Sequence, residues 1–194
     1  GEVRDSSSAK LAFEAAMTGH QVWTTLHSND AITIPFRLKD LHVEEYKLVD
    51  PTLLTGLISQ RLVRKICEYC KKEYKLDKVA SEELGKAFDV KKLLPLFKDN
   101  NALGKSEQSL ENFSFFQGAG CHRCGETGYK GRVGIYEVLD ITPEIIKMIN
   151  ERKSANEIKA EARSAGMLTM IEDGIVKAKL GITTISEVLR ATKE

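Results

Sequence analysis

Four cysteines stand in two Cys-x-x-Cys pairs, Cys67-Glu68-Tyr69-Cys70 and Cys121-His122-Arg123-Cys124. A Cys-x-x-Cys turn presents two thiolates from one tight loop, and two such turns supply the tetrahedral sulfur set that zinc prefers. The alternatives are two disulfides or free buried thiols. Disulfides belong to oxidising compartments, and a redox Cys-x-x-Cys comes singly, near a strand–helix junction. The pairs therefore read as one structural zinc site built from Cys67, Cys70, Cys121 and Cys124, with no open position for catalysis. The ion would staple the base of an insert over 77–117, tying segment 51–66 to segment 132–139.

A second set of chemistry-bearing residues lies near the start: Glu2, Asp5, His20 and His27. A carboxylate at one strand end and a His at the end of its neighbour can meet over a phosphate or a reactive water. The plainer reading of each His is a hydrogen-bonded structural residue. No phosphate cradle accompanies them. Gly104-Lys105-Ser106 ends like a P-loop, but the first glycine of that motif would fall at Asp99, and the match sits in a polar stretch with no strand before it. Around the first Cys pair cluster Arg61, Arg64, Lys65, Lys71, Lys72 and Lys75. They read as a solvated helix end whose cations suit the macrodipole and the thiolates, rather than as a phosphate or nucleic-acid patch.

The elements that must position these groups follow from patterning. Ser6 to Ser8 offer N-cap oxygens to a helix with an inner face of Ala9, Ala12/Phe13 and Ala16, ended by Gly19. Gln21 to His27 alternates like a strand, and a helix follows the Ser28-Asn29-Asp30 cap to about Leu41, with Pro35 limiting where it begins. Apolar residues in steps of three and four predict a helix from Pro51 to Ile66. Within 77–117 the pattern weakens, with short helices expected over 81–88 and 90–96 and a flexible stretch over 99–112. Arg132 to Leu139 reads as a strand. Thr142-Pro143 caps a helix, Ser154-to-Glu157 and Thr184-to-Glu187 read as capping boxes, and Gly166 and Gly181 as stops.

Composition bounds the function. At 194 residues and 42% hydrophobic content, the chain makes one large domain or two modest ones. Lys+Arg 29 against Asp+Glu 28 argues against a polyanion binder driven by charge. No apolar run approaches the roughly 18 residues of a membrane span, and no signal-peptide pattern opens the chain. A soluble, cytoplasmic protein is expected. The chain begins Gly1-Glu2-Val3 with no Met and no polar lead-in, as if cut inside a domain.

Taken in order, Gly1-Glu2-Val3-Arg4-Asp5, Thr18-Gly19-His20 and Thr25-Leu26-His27-Ser28-Asn29 resemble the Walker B and His-box region of the secretion and pilus-assembly ATPases, the GspE/PilB family. The resemblance continues through Gln60-Arg61-Leu62-Val63-Arg64, both Cys pairs, Thr127 to Glu137 and Gly181-Ile182-Thr183-Thr184. It implies an α/β fold: a partial RecA-like ATPase core over 1–66, a tetracysteine zinc-binding element with a variable insert over 67–124, and a strand plus helical C-terminal subdomain over 125–194. It implies a homo-hexameric motor, cytoplasmic and peripheral to the inner membrane. Such a motor uses ATP and Mg²⁺ to drive pilus or pseudopilus assembly through an inner-membrane platform protein, without nucleic acid. By motif, Glu2 resembles the catalytic Walker B glutamate that polarises the attacking water. His20 and His27 resemble the His-box pair near the nucleotide, and Arg132 resembles an arginine that contacts it.

Two departures stand out. Ser7-Ser8 replaces the usual Glu-Thr, removing a carboxylate, and Ser28-Asn29 replaces Thr-Asn, keeping a hydroxyl. The family's P-loop, acidic box and N-terminal domain are expected upstream of Gly1, so the chain alone is expected not to hydrolyse ATP. The rival readings are a freestanding zinc-stabilised adaptor of the secretion or pilus machinery, and a zinc-ribbon nucleic-acid binder.

Overall fold

The computed structural model describes residues 1–76, 82, 84, 85, 88, 92–103 and 113–193. The described elements are α1 (Ser6–Met17), α2 (Ile34–Asp40), α3 (Glu45–Leu48), β1 (Gly56–Ile66), β2 (Lys71–Lys75), α4 (Leu93–Asp99), β3 (Ser114–Gly118), β4 (Tyr129–Asp140), α5 (Pro143–Asn150), α6 (Ala155–Ser164), α7 (Met170–Lys179) and α8 (Ile185–Thr192). The fold is mixed α/β. Two compact units form, one from Gly1–Ser59 and Glu137–Leu168, the other from Gln60–Tyr136 and Thr169–Glu194.

In the first unit α1 begins at Asp5, whose carboxylate accepts the Ser8 N–H at 2.8 Å. The Ser8 hydroxyl answers from the third helical position. The cap is therefore Asp5, not the serines: Asp5 stands in extended backbone just before the helix, where its carboxylate reaches the free Ser8 N–H, while the serines are already helical. α1 buries Ala9 and Phe13 and stops at Thr18, with Gly19 in the left-handed region at φ 86°. Pro35 falls in the first turn of α2, where its missing N–H costs nothing. The core joins Phe13, Ile32 and Leu38 to Leu57, Leu139, Ile145 and Ile158.

The strand expected over Gln21 to His27 does not form. A single parallel bridge pairs Glu2 with Thr25, and the Val3 N–H donates to the Thr25 carbonyl at 2.7 Å. Among the described residues the segment has no further ladder, and alternation without a paired neighbour cannot make a strand. Val22 and Trp23 are left exposed.

The helix expected over Pro51 to Ile66 is instead β1 from Gly56 onward. Leu57, Ser59 and Val63 are buried at odd positions, the period of a strand. β1 pairs with β4. The Ile141 N–H donates to the Thr55 carbonyl at one end and the Cys67 N–H to the Gly128 carbonyl at the other, so the pair is antiparallel. Leu and Ile at steps of three and four fit both periods, and long-range pairing decided between them.

In the second unit β2 and β3 pair antiparallel, Lys71 opposite Gly118 and Lys75 opposite Ser114. Phe97 packs edge-on against Phe113 and Phe115, with ring centroids 5.3 and 6.2 Å apart. Part of the helix expected over 81–88 and most of the stretch over 99–112 lie outside the described residues. Of the helix expected over 90–96, residues 93–96 fall in α4.

The C-terminal helices are capped much as the sequence requires. Thr142 caps α5, Ser154 and Glu157 close a reciprocal box on α6, and Gly166 and Gly181 take positive φ at helix ends. Thr169 and Glu172 make a further box on α7. At α8 the box is half-built: Thr184 accepts the Glu187 N–H, while the Glu187 carboxylate turns to Arg64 and Arg190.

Candidate functional site

Glu2 and His27 meet because of the bridge. Glu2 pairs with Thr25, and His27, two residues on, projects to the same side as Thr25. The Glu2 Oε1 atom lies 2.9 Å from His27 Nε2, and its Oε2 accepts from Arg4 Nε at 2.6 Å. The Arg4 hydrogen bond, then the charges of Arg4 and His27, holds the Glu2 carboxyl below the usual carboxylate range. Arg4 was not singled out by its type. Its i, i+2 spacing from Glu2 on an extended segment was the signal that could have found it.

His20 is placed differently. Its Nδ1 sits 3.0 Å from the Thr18 hydroxyl and 3.3 Å from the Ala15 carbonyl, at the end of α1. No hydrogen bond or ion pair joins it to Glu2 among the described residues. Arg132 lies exposed on β4 in the second unit. A residue that sequence reasoning passed over is Glu137, which is buried at 2% exposure and accepts the Ala31 N–H at 3.1 Å. The signal for it was a carboxylate at the core-facing register of β4, between Ile135 and Leu139.

The tetracysteine cluster is assembled by the ends of β1 and β4. Cys67 directly follows β1, and the Cys70 N–H turns back to the Cys67 carbonyl at 3.3 Å. Cys121 to Cys124 forms a short 3-10 turn ended by Gly125 in the left-handed region. Between the knuckles the backbones of Gly118 and Gly128 come so close that a Cβ on Gly118 would run into the Gly128 carbonyl. Arg123 stacks 3.9 Å over the Tyr69 ring, joining the two knuckle tips.

All four sulfurs lie within 4.8 Å of one another. Cys67–Cys121 and Cys70–Cys124 are 3.9 Å apart, and Cys121–Cys124 is 3.7 Å. Disulfide sulfurs sit about 2.05 Å apart, so these are not bonded pairs. Four thiolates about 2.3 Å from a tetrahedral ion are about 3.8 Å from each other, which these spacings match. Burial pushes the Cys70 thiol up to about 12. Cys124 is also penalised by burial, but the Cys121 and Gly128 N–H groups, each 3.3 Å from its sulfur, bring it down to about 6. Backbone donors aimed at sulfur are what a bound thiolate requires.

Four of the six cations near the first knuckle are engaged within the unit. Arg61 donates to the Ala191 carbonyl at 2.6 Å, Lys65 pairs with Glu68 at 2.7 Å, and Lys71 lies 4.4 Å from the centre of the Phe116 ring. Arg64 stacks 4.1 Å over Tyr129 and pairs with Glu187 at 2.7 Å. No described helix is long and apolar enough to cross a membrane.

Comparison with known proteins gives the family. Residues 1–190 match the family of type II/IV secretion system proteins. The chain is similar to the type IV pilus assembly ATPase PilB of Thermus thermophilus, 46% identical over 194 residues that make up all of this chain and 20% of that protein. It is similar to PilB of Pseudomonas aeruginosa at 37% identity, covering 30% of that protein, and to the type II secretion system ATPase E of Vibrio cholerae at 36%, covering 34%, each across the whole of this chain. The chain thus spans between a fifth and about a third of these relatives' length. The X-ray structure of the Legionella pneumophila ATPase DotB shares the fold, with a TM-score of 0.52 and 20% identity over 97% of this chain and 36% of that one. The chain belongs to the type II/IV secretion system protein family.

Proposed function

We propose that these residues form the C-terminal part of a hexameric ATPase that drives assembly of a type IV pilus or a secretion pseudopilus. In this reading 1–66 is the second half of a RecA-like core, 67–124 a zinc-stapled element and 125–194 a strand with a helical subdomain. The observation that carries the catalytic part is the Glu2–His27 pair at 2.9 Å. Mg-ATP supplies the phosphoryl group and its leaving group. The chain supplies the Glu2 carboxylate, which can accept a hydrogen bond from an attacking water and orient it. His27, with a 95% exposed side chain, holds one carboxylate oxygen while presenting its ring to solvent. By their motifs alone His20 and Arg132 are read as nucleotide-proximal, and Cys67, Cys70, Cys121 and Cys124 hold a structural zinc. The protein acts in the cytoplasm, peripheral to the inner membrane, with a platform protein of the machinery as its partner.

In this reading the phosphate-cradling loop lies outside these 194 residues, and turnover needs a chain of the relatives' length. The test compares ATP turnover of the 194-residue chain with that of a chain extended to the relatives' length, each with and without Glu2→Gln. The extended chain should turn over ATP and lose on the order of a hundredfold with Glu2→Gln. Turnover indifferent to Glu2→Gln would sink the assignment. An extended chain that binds the machinery but never hydrolyses would favour an adaptor.

A further inference from the structure

Ile135, Glu137 and Leu139 share one face of β4 and are exposed at 0%, 2% and 1% respectively, so a carboxylate occupies a position where its neighbours are aliphatic. Burying a carboxylate is costly unless it is hydrogen-bonded, and a methylene chain would fill the same volume without that cost. The contact it makes is specific: Oε1 accepts the Ala31 N–H at 3.1 Å, and Ala31 is itself fully buried.

Ala31 belongs to a turn with its own internal polar ties. The Ser28 hydroxyl lies 2.7 Å from that of Thr33 and donates to the Asp30 carbonyl at 3.0 Å, while the Thr33 N–H donates to the Asp30 carboxylate at 2.8 Å. These bonds make residues 28–33 a small rigid piece, and Glu137 hydrogen-bonds it to β4. His27 is the residue immediately before that piece, and its ring nitrogen sits 2.9 Å from Glu2. The Glu2–Thr25 bridge holds the chain two residues before His27; the turn holds it on the other side, and the turn is held from the core.

We infer that Glu137 is a positioning residue: by accepting the Ala31 N–H it sets the turn that carries His27 against Glu2. The inference rests on the reading of Glu2 and His27 as parts of the nucleotide site. It adds to that site a residue over a hundred positions away in sequence, on the far side of the tetracysteine element.

The test is NMR of the chain with ¹⁵N-labelled histidine, the His27 ring signals being assigned with His27→Gln. His42 and His122 report whether the fold is intact. Glu2→Gln should move the His27 ring signals, because it removes the carboxylate they face. Glu137→Met keeps the side-chain volume but cannot accept the Ala31 N–H, and should move the His27 signals in the same direction. Glu137→Gln retains an acceptor oxygen and should leave them in place. Glu137→Asp keeps the charge but withdraws the acceptor by one methylene, and should give a partial shift; it serves if the Met variant does not fold. If Glu2→Gln moves His27 while neither Glu137→Met nor Glu137→Asp does, Glu137 merely satisfies a backbone donor and the inference is overturned. If Glu2→Gln leaves His27 unmoved, the Glu2–His27 pair itself is wrong, and the proposed site falls with it.

Discussion

The Glu187 carboxylate, buried at the start of α8, takes both the backbone N–H of Arg64 at 2.9 Å and its guanidinium at 2.7 Å. Arg64 lies in β1, 123 positions earlier, and Arg190 adds a second guanidinium at 3.1 Å. Burial alone pushes the Glu187 carboxyl up; the bonds from Arg64 and Arg190 outweigh it and hold it at about 2.

A carboxyl held near 2 rather than 4.5 contributes about 3 kcal/mol of stability at neutral pH. Because the folded value is depressed, that contribution is complete above pH 4.5 and is lost as pH falls toward 2. Glu187→Gln should therefore cost about 3 kcal/mol at pH 7, and the gap from wild type should narrow steadily below pH 4.5. Urea unfolding at a series of pH values measures both; a gap independent of pH would exclude the ion pair as its source.

Arg4 governs the ionisation of Glu2. Arg4→Ala should raise the Glu2 carboxyl toward the ordinary carboxylate range, and His27→Ala should do so by less, following the order of the two contributions. Carbon-13 NMR of labelled glutamate through an acid titration reads this directly. An unmoved Glu2 signal in Arg4→Ala would show that the 2.6 Å contact does not persist in solution.

The sulfur spacings predict one zinc per chain, measurable by elemental analysis of protein purified without added metal. Chelation should lower the unfolding temperature by about 5 °C or more, since a structural ion binds only the folded chain. Cys70→Ser should abolish the metal and remove the effect of the chelator. A chain that holds no metal yet unfolds at the same temperature with and without chelator would mean that packing alone brings the sulfurs together.

Gly118 and Gly128 bring their backbones into close approach beside the tetracysteine element. Gly118→Ala should cost about 2–3 kcal/mol, because backbone must give way to the new Cβ. Gly125→Ala, at φ 60° with open space around it, should cost only about 1 kcal/mol from backbone strain. Equal costs in denaturant unfolding would contradict the close approach.

Local chemistry was legible without any structure. Caps at Thr142 and Ser154, the stop at Gly19, the restriction by Pro35 and the β4 strand all depend on residues within a few positions of each other, where side-chain reach and backbone preference act alone. The two Cys pairs were equally clear, since a Cys-x-x-Cys turn is complete in itself and only one partner pair was on offer.

Tertiary structure decided what depends on partners far along the chain. Segment 56–66 carries apolar residues that satisfy a helix and a strand alike, and pairing with β4 made it a strand. Segment 21–27 alternates as a strand should, yet among the described residues it gains only the bridge to Glu2. Glu187 had the spacing of a capping box, but Arg64 offered its carboxylate two donors where the helix end offered one. Glu137 reads as an ordinary strand residue until the Ala31 N–H is seen to need an acceptor in the core. The sequence by itself determined the caps at Thr142 and Ser154, the stops at Gly19, Gly166 and Gly181, and the Cys-x-x-Cys turns. Which hydrogen-bonding groups would be buried, and therefore had to be paired, was settled only when distant segments came together, because the cost of an unpaired polar group exists only once water is excluded.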